Sequence, residues 1–358
     1  MELMKKNIKK IAKGIGIVVG VLLLAVIGLL GYLSVKEYRP EAREAALVSE
    51  EVSPTAVELE SSLTLLSYNI GYGCLSAEED FFMDGGSKVR PDEEGVVQKN
   101  IEGILSELKE NPVDIYLLQE VDLDSKRSYR HDQRLELQEA LGYNSYFAYN
   151  FNCEYVPFPL PTIGKVKSGL VTLTDKKVTE ATRIALPVPF KWPVRMANLK
   201  RCLLETRLPI AGSDKELVVL NLHLEAYDSG EGKAAQTEIL MKRLEEEREL
   251  GNYVIAGGDF NQTTPAWLEK YPTIDEDKWT PGMFDEASIP EGFRLLMDGD
   301  KPTSRLNDTP LTKTTQKAVI DGFIVSDEVE VLELATLDYG FMHADHSPVR
   351  LTVKLIED

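Results

Sequence analysis

Twenty consecutive positions, Gly14 to Leu33, carry no charge and are mostly apolar, and Lys5, Lys6, Lys9, Lys10 and Lys13 precede them. Twenty helical residues reach about 30 Å, the thickness of a bilayer's hydrocarbon core. The apolar part of a cleaved signal peptide is shorter, about 7–15 residues. No small-x-small site follows Leu33, where the chain continues through Val35-Lys36-Glu37-Tyr38-Arg39-Pro40. The segment is therefore read as one uncleaved membrane-spanning helix. The lysines before it outnumber Lys36 and Arg39 after it, which places the N-terminus in the cytoplasm and the rest beyond the cell membrane. The chain then divides into a basic tail (1–13), a transmembrane helix (14–33), a stalk (34–60) and a single folded domain (61–358).

Charge follows the same division. The chain carries −19 overall, with seven Lys/Arg and two Asp/Glu in residues 1–40, so the body carries −24. A body this acidic repels polyanions and anionic lipid heads unless a local basic patch or a bound metal overrides the average. Cys74, Cys153 and Cys202 leave room for one disulfide and make neither a framework nor a zinc pattern.

Between residues 34 and 60 the chain is rich in Glu and Ala with little apolar periodicity, partly helical at most around Glu41–Val48. Beyond it, strand-length apolar runs alternate with amphipathic stretches. Strands are expected at 63–68, 114–118, 169–174, 203–208, 217–222, 253–256, 319–325 and 349–355, and helices at 93–108, 133–141 and 233–250. Some strands follow one another directly, which excludes a pure βαβ wheel and favours mixed sheets with helices outside. Two proline-rich segments, Val156–Pro161 and Leu186–Pro193, must be loops. They either lie flat over the core or form an exposed aromatic rim that touches a membrane or a lipid substrate.

Six short motifs share one placement, where an apolar strand meets a loop: Ser67-Tyr68-Asn69-Ile70-Gly71, Leu117-Leu118-Gln119-Glu120, Asn221-Leu222-His223-Leu224, Gly258-Asp259-Phe260-Asn261, Ile320-Asp321-Gly322 and Asp345-His346-Ser347. Their donors are hard oxygens plus two imidazoles, a set that suits Mg²⁺, Mn²⁺ or Ca²⁺ rather than zinc. Glu120 follows four apolar residues and would be an awkward carboxylate without a cation. His223 alternates with an apolar strand, so a core histidine is its rival reading. His131 and His343 match no motif and read as loop residues. Arg127 and Arg130 either bind phosphate or decorate a turn, and Asp84-Gly85-Gly86 either shapes a pocket mouth or makes a turn.

These motifs, in this order, resemble the endonuclease/exonuclease/phosphatase superfamily, and the resemblance covers about residues 63–355. It implies a four-layer α/β sandwich of the DNase I type and metal-dependent phosphoester hydrolysis, with Mg²⁺ as the expected ion. Glu120 resembles the principal metal ligand, assisted by Asn69, and Asp345 resembles a residue that holds the metal or orients His346. His346 resembles the group that activates the attacking water, and Asp259 and Asn261 the pair that positions that water and the phosphate. His223 resembles the second imidazole of DNase-like and sphingomyelinase-like members. Asp321 resembles the carboxylate that orients the histidines.

The resemblance names the reaction more firmly than the substrate. Gly322-Phe323 after Asp321 and Gln-Thr-Thr after Asn261 depart from abasic-site endonucleases and inositol-polyphosphate phosphatases respectively. A nuclease-type phosphodiesterase acting outside the cytoplasm is the leading expectation, carried by His223 within Asn-Leu-His-Leu. A sphingomyelinase-like lipid phosphodiesterase or a small-molecule phosphatase is the alternative, and an inactive binding ectodomain a remote one. The implied partners are nucleic acid or a phospholipid head group and the membrane itself, with no protein partner.

Overall fold

The computed structural model describes residues 2–357. Its first element, α1 (Glu2–Lys36), is a single helix long and apolar enough to cross a membrane, with its surface mostly exposed. Two short strands follow, β1 (Arg43–Ala45) and β2 (Leu47–Ser49), and then β3 (Ser62–Asn69). The middle of the chain contributes α2 (Glu94–Glu110), β4 (Ile115–Asp122), α3 (Gln133–Leu141), β5 (Asn144–Val156), β6 (Gly164–Thr174) and β7 (Glu180–Ala185). Next come β8 (Cys202–Pro209), β9 (Glu216–His223), α4 (Glu231–Glu249) and β10 (Tyr253–Asp259). Short pieces follow: β11 (Gln262–Thr263), α5 (Pro265–Lys270), β12 (Gly282–Met283), β13 (Phe293–Leu296), β14 (Ser304–Arg305) and β15 (Lys317–Ala318). The last strands are β16 (Asp321–Ser326), β17 (Val329–Thr336) and β18 (Val349–Leu355).

Two mixed sheets dominate, ordered β1-β7-β8-β9-β10-β16-β13 and β17-β18-β3-β4-β6-β5-β2. Strand alternation explains how they stack. Leu63 and Leu65 of β3, Ile115 and Leu117 of β4, and Val349, Leu351 and Val353 of β18 face one way. They meet Leu217 and Val219 of β9, Ile255 of β10 and Phe323 and Val325 of β16 from the other sheet. Intervening residues face outward: Leu66, Tyr68, Tyr116 and Leu118 pack under Val97, Ile101, Ile104 and Leu108 of α2. Leu220, Leu222, Val254 and Ala256 pack under Leu240, Met241 and Leu244 of α4. The order is helix, sheet, sheet, helix, the four-layer α/β sandwich expected from the sequence.

The interior-facing series changes chemistry towards one end of the sandwich. Beyond Leu117 the next inward residue of β4 is Gln119, and beyond Val219 the next of β9 is Asn221. Gln119 Nε2 donates to Asn221 Oδ1 at 2.8 Å, and Asn221 Nδ2 donates to the carbonyls of Val171 (2.9 Å) and Leu118 (3.2 Å). This buried polar bridge joins the two sheets just beneath the functional motifs.

One expectation needs correction, and three strands lie outside the expected runs. The stalk read over 34–60 contains β1 and β2, which pair with β7 and β5 at the edges of the two sheets. Its short alternating segments bury too few apolar side chains to stand out as strands. The strands β5, β7 and β17 carry no clean alternation because bulges interrupt β5 and β17 and because β7 is short. The three cysteines are all free and buried.

Replacing Asn221 by leucine leaves Gln119 and two carbonyls with a lost partner in a dry interface. The expected cost is about 2–3 kcal/mol of stability, read from the urea unfolding midpoint of the detergent-solubilised chain; an unchanged midpoint would show that the bridge is not a stabilising element.

Candidate active site

The inward parity that packs the sandwich also gathers the motif residues. In the first sheet, Asp259 of β10 lies in register with His223 of the parallel β9 and with Asp321 of the antiparallel β16. Three functional side chains thus stand side by side on adjacent strands. Gly258, at φ 151°, permits the close approach: a Cβ there would fall 2.0 Å from the Leu222 carbonyl oxygen. The second sheet supplies Asn69, opposite Gln119 at the end of β3, and Glu120. The β4–β6 register slips by one residue between Leu118 and Val121, and Glu120 sits in this bulge at φ 56°. The bulge re-aims Glu120 into the cleft instead of leaving it on the helix-covered face.

The two sheets meet at Asn69, whose Nδ2 donates to Asp259 Oδ2 (3.1 Å) and Glu120 Oε1 (3.3 Å), while its Oδ1 accepts from the Gly71 amide. His346 bonds through Nδ1 to Asp321 Oδ2 at 2.8 Å, which leaves Nε2 facing Asp259 Oδ2 at 3.7 Å. His223 Nε2 lies 3.4 Å from the same Asp259 oxygen, and its Nδ1 lies 3.9 Å from Glu120. Asn261, at φ 52°, donates its Nδ2 to the Leu224 carbonyl, and its own amide caps Asp259 Oδ1. Asp345 accepts from Asn307 Nδ2 at 2.6 Å and makes no bond to His346. Asp321 therefore orients His346 alone, and Asp345 is left to the Glu120 side of the site.

Electrostatics differ between the neighbours. Burial, helped by Asp345 and opposed by Arg127, pushes the Glu120 carboxyl up to about 7. Burial and the adjacent Asp321 raise Asp259 to about 6. Burial and Arg201 hold His223 well below the ordinary histidine value, keeping it neutral. For His346, burial pulls the other way and is outweighed by Asp321, Asp259 and Asp345, so its pKa stands well above that value. Like-charged carboxylates crowded in a dry pocket are the arrangement a cation relieves.

The donor set fits a divalent ion. Among the described residues, Asp345 Oδ1 and Asp321 Oδ1 are buried with no hydrogen-bond partner, and Glu120 and Asn69 add oxygens of the kind Mg²⁺ or Mn²⁺ accepts. Asp259, Asp321 and His346 also bring ligand-type atoms within 4.8 Å of one another. Because His346 Nδ1 is already committed to Asp321, that trio is better suited to moving a proton, and the Glu120–Asn69–Asp345 side to holding the ion.

Glu120, His223, Asp259, Asn261, Asp345 and His346 line one end of a cleft of about 690 Å³. Sequence reading missed several of its residues. Asn307 fixes Asp345 from a loop with no regular pattern, and the Thr303 hydroxyl accepts from the Ile320 and Asp321 amides. Tyr227 donates to Asp84, which also accepts from the Asn307 amide, so the Asp84-Gly85-Gly86 turn does shape the pocket. Arg127 lines the cleft, held by Asp122 and stacked 3.5 Å over the Tyr72 ring. Arg130 pairs with Asp124 away from it. His343 bonds Glu107 and His131 bonds Glu136, both outside the site.

A family model described as "Endonuclease/Exonuclease/phosphatase family" matches residues 66–339. Among solved structures, the chain is similar to an endonuclease/exonuclease/phosphatase from Beutenbergia cavernae DSM 12333, with 18% identity, 82% of this chain and 72% of that chain covered, and a TM-score of 0.56. It is similar to ANGEL2, a 2′,3′-cyclic phosphatase, at 14% identity over 87% of this chain and 98% of that one, with a TM-score of 0.54. A humanized D. rerio TDP2 aligns at 16% identity over 82% and 99%, with a TM-score of 0.52. No curated protein matches the chain in sequence. At such identities the structures speak to the fold, and the family model, which spans most of the chain, to the lineage: the chain belongs to the endonuclease/exonuclease/phosphatase family.

Proposed function

We propose that this protein hydrolyses a phosphoester with the help of a divalent cation, Mg²⁺ being the first choice, at the centre formed by Glu120, Asn69, Asp345, Asp259, His346 and Asp321. The observation that carries the reading is the joining of two different devices across Asn69. Oxygens suited to a hard cation stand on one side, and on the other an Asp259–His346–Asp321 relay in which His346 is hydrogen-bonded to Asp321 and lies 3.7 Å from Asp259. A bound cation would draw charge from the phosphoryl oxygens and so favour attack.

The chain's own residues account for the rest. The attacking water gives its proton to Asp259, the ionised carboxylate of the relay, while His346, held protonated by Asp321 and Asp259, keeps Nε2 alongside that carboxylate and its Nδ1–H on Asp321. Asn261, locked by Leu224, shapes the floor that receives the phosphate. His223, neutral and close to both Asp259 and Glu120, is placed to contact a phosphoryl or departing oxygen.

The nuclease-type expectation gains little from the cleft. Long nucleic acids are gripped by free Lys and Arg along a groove. Among the described residues, Arg127 is held by Asp122, Arg201 by Glu225, and Arg305 by the carbonyls of Leu75, Ser76 and Glu79. Phosphoester hydrolysis outside the cytoplasm is therefore proposed as the reaction, without a nucleic acid as its required substrate.

Chelation with EDTA should abolish hydrolysis of bis(p-nitrophenyl) phosphate, and added Mg²⁺ or Mn²⁺ should restore it; full activity in EDTA would refute the cation's part. Glu120→Gln should raise the Mg²⁺ concentration for half-activation by about tenfold or more and remove the Mg²⁺-induced gain in melting temperature expected of the unaltered chain. Asp321→Asn should lower kcat by about 10²–10⁴ with KM little changed. Wild-type turnover in that variant would sink the relay.

A further inference from the structure

The cleft that ends at Glu120 and His346 begins at the membrane helix. Leu29, Leu30 and Leu33, in the last turns of α1, line the same cavity as the catalytic groups. The contact is fastened. Leu33 is 5% exposed, Ser34 Oγ donates to Met196 Sδ at 3.0 Å, and Glu37 pairs with Arg195 (3.2 Å) and Lys200 (3.7 Å). Leu33 lies three residues before Lys36, the first charge after the apolar run, and Leu29 lies about 6 Å deeper along the helix. The wall they form therefore sits at the depth where acyl chains meet head groups.

The other walls of the outer cleft are equally apolar. Phe81, Phe82 and Met83 come from the turn after β3, Phe158 from one proline-rich loop, and Phe190 and Val194 from the other. The two proline-rich loops leave apolar side chains uncovered: Phe158 is 70% exposed, Leu160 85% and Trp192 57%. The segments read as loops thus form a projecting rim around the mouth instead of lying flat. Aromatic side chains at the ends of a spanning helix are at home in the interfacial belt of a bilayer. The carboxylates and imidazoles of the cavity's lining include Glu120, His223, Asp259, Asp345 and His346, where the phosphoester chemistry is proposed.

We propose that the substrate is a membrane lipid bearing a phosphoester, admitted sideways from the leaflet that faces the domain. Its acyl chain lies against Leu29, Leu30 and Leu33, and its phosphate reaches the Glu120–His346 centre. The anchor is then part of the substrate site. The inference rests on the proposed phosphoesterase reading and adds its substrate class. The balance is that of simple hydrolysis: a P–O bond of the lipid breaks, water's oxygen bonds to phosphorus, one of water's protons is taken up by the relay and returned to the departing oxygen, and the other stays on the new phosphate hydroxyl.

The test uses the full chain with Mg²⁺ in vesicles of phosphatidylcholine, phosphatidylglycerol and sphingomyelin, with phosphorus NMR reporting any new phosphoester. Soluble bis(p-nitrophenyl) phosphate and plasmid DNA are offered in parallel. The rim variant Phe158→Ser/Trp192→Ser and the wall variant Leu30→Trp change no group of the catalytic centre, and the two rim residues are exposed. In both, lipid hydrolysis should fall about tenfold or more while the soluble ester is cleaved within about twofold of wild type. Lipid cleavage unaffected by either variant overturns the proposal, as does plasmid cleavage or soluble-ester cleavage with every lipid intact. Failure to cleave any of the substrates overturns the phosphoesterase reading itself, a result distinct from the loss of lipid activity alone.

Discussion

The period of two along the strands governs this structure. One parity of β3, β4, β9, β10 and β16 builds the dry interface between the sheets, and the same parity, carried a few residues further, builds the site. Leu63 and Leu65 lead to Asn69; Ile115 and Leu117 lead to Gln119; Val219 leads to Asn221 and His223; Ile255 leads to Asp259. A slip of one residue in any of these strands would send its functional group to a helix-covered face and an apolar side chain into the cleft. The Gln119–Asn221 bridge marks the point where packing gives way to chemistry, and it couples the two sheets where they must be held in mutual register. The bulge at Glu120 is the exception that the parity rule requires.

Much of this was legible because strong patterns report it. The ends of β3, β9 and β18 fall within a residue or two of the apolar runs, and α3 spans its expected residues. The site residues were found at strand ends by residue type. What could not be read was which groups bond to which. Asn69 touches both Asp259, 190 positions away, and Glu120, 51 away, and nothing local announces either contact. Asn307 and Thr303 lie in irregular segments where polar residues are ordinary, so their support of Asp345 and Asp321 left no trace in the pattern. The strands hidden in 43–49 were masked by composition, since Glu and Arg on exposed edge positions look like a linker.

The site concentrates negative charge inside an already acidic body. Four carboxylates, Glu120, Asp259, Asp321 and Asp345, crowd the end of a cleft whose other end is hydrocarbon. Each is partly compensated by a different device: an amide for Asp259, an imidazole for Asp321, a carboxamide for Asp345 and the Arg127 neighbourhood for Glu120. Such an arrangement costs stability, because buried like charges repel in a medium of low dielectric. The packed α2 and α4 layers, with the apolar interface below, supply the stability that offsets it.

The attachment of the chain just after α1 bears on how the molecule assembles. Arg43 pairs with Ile184 and Leu47 with Phe147, across roughly 100–140 residues of intervening sequence. During synthesis α1 and these strands emerge long before their partners exist. The edges of both sheets must therefore close late, after β5 and β7 have formed. Closing them draws residues 43–49 against the domain and brings the end of α1 with them. Closure of the sheet edges and docking of the end of α1 on Arg195 and Lys200 are then a single terminal event, and a chain arrested before it would hold the candidate site without the Leu29, Leu30 and Leu33 side of its cleft.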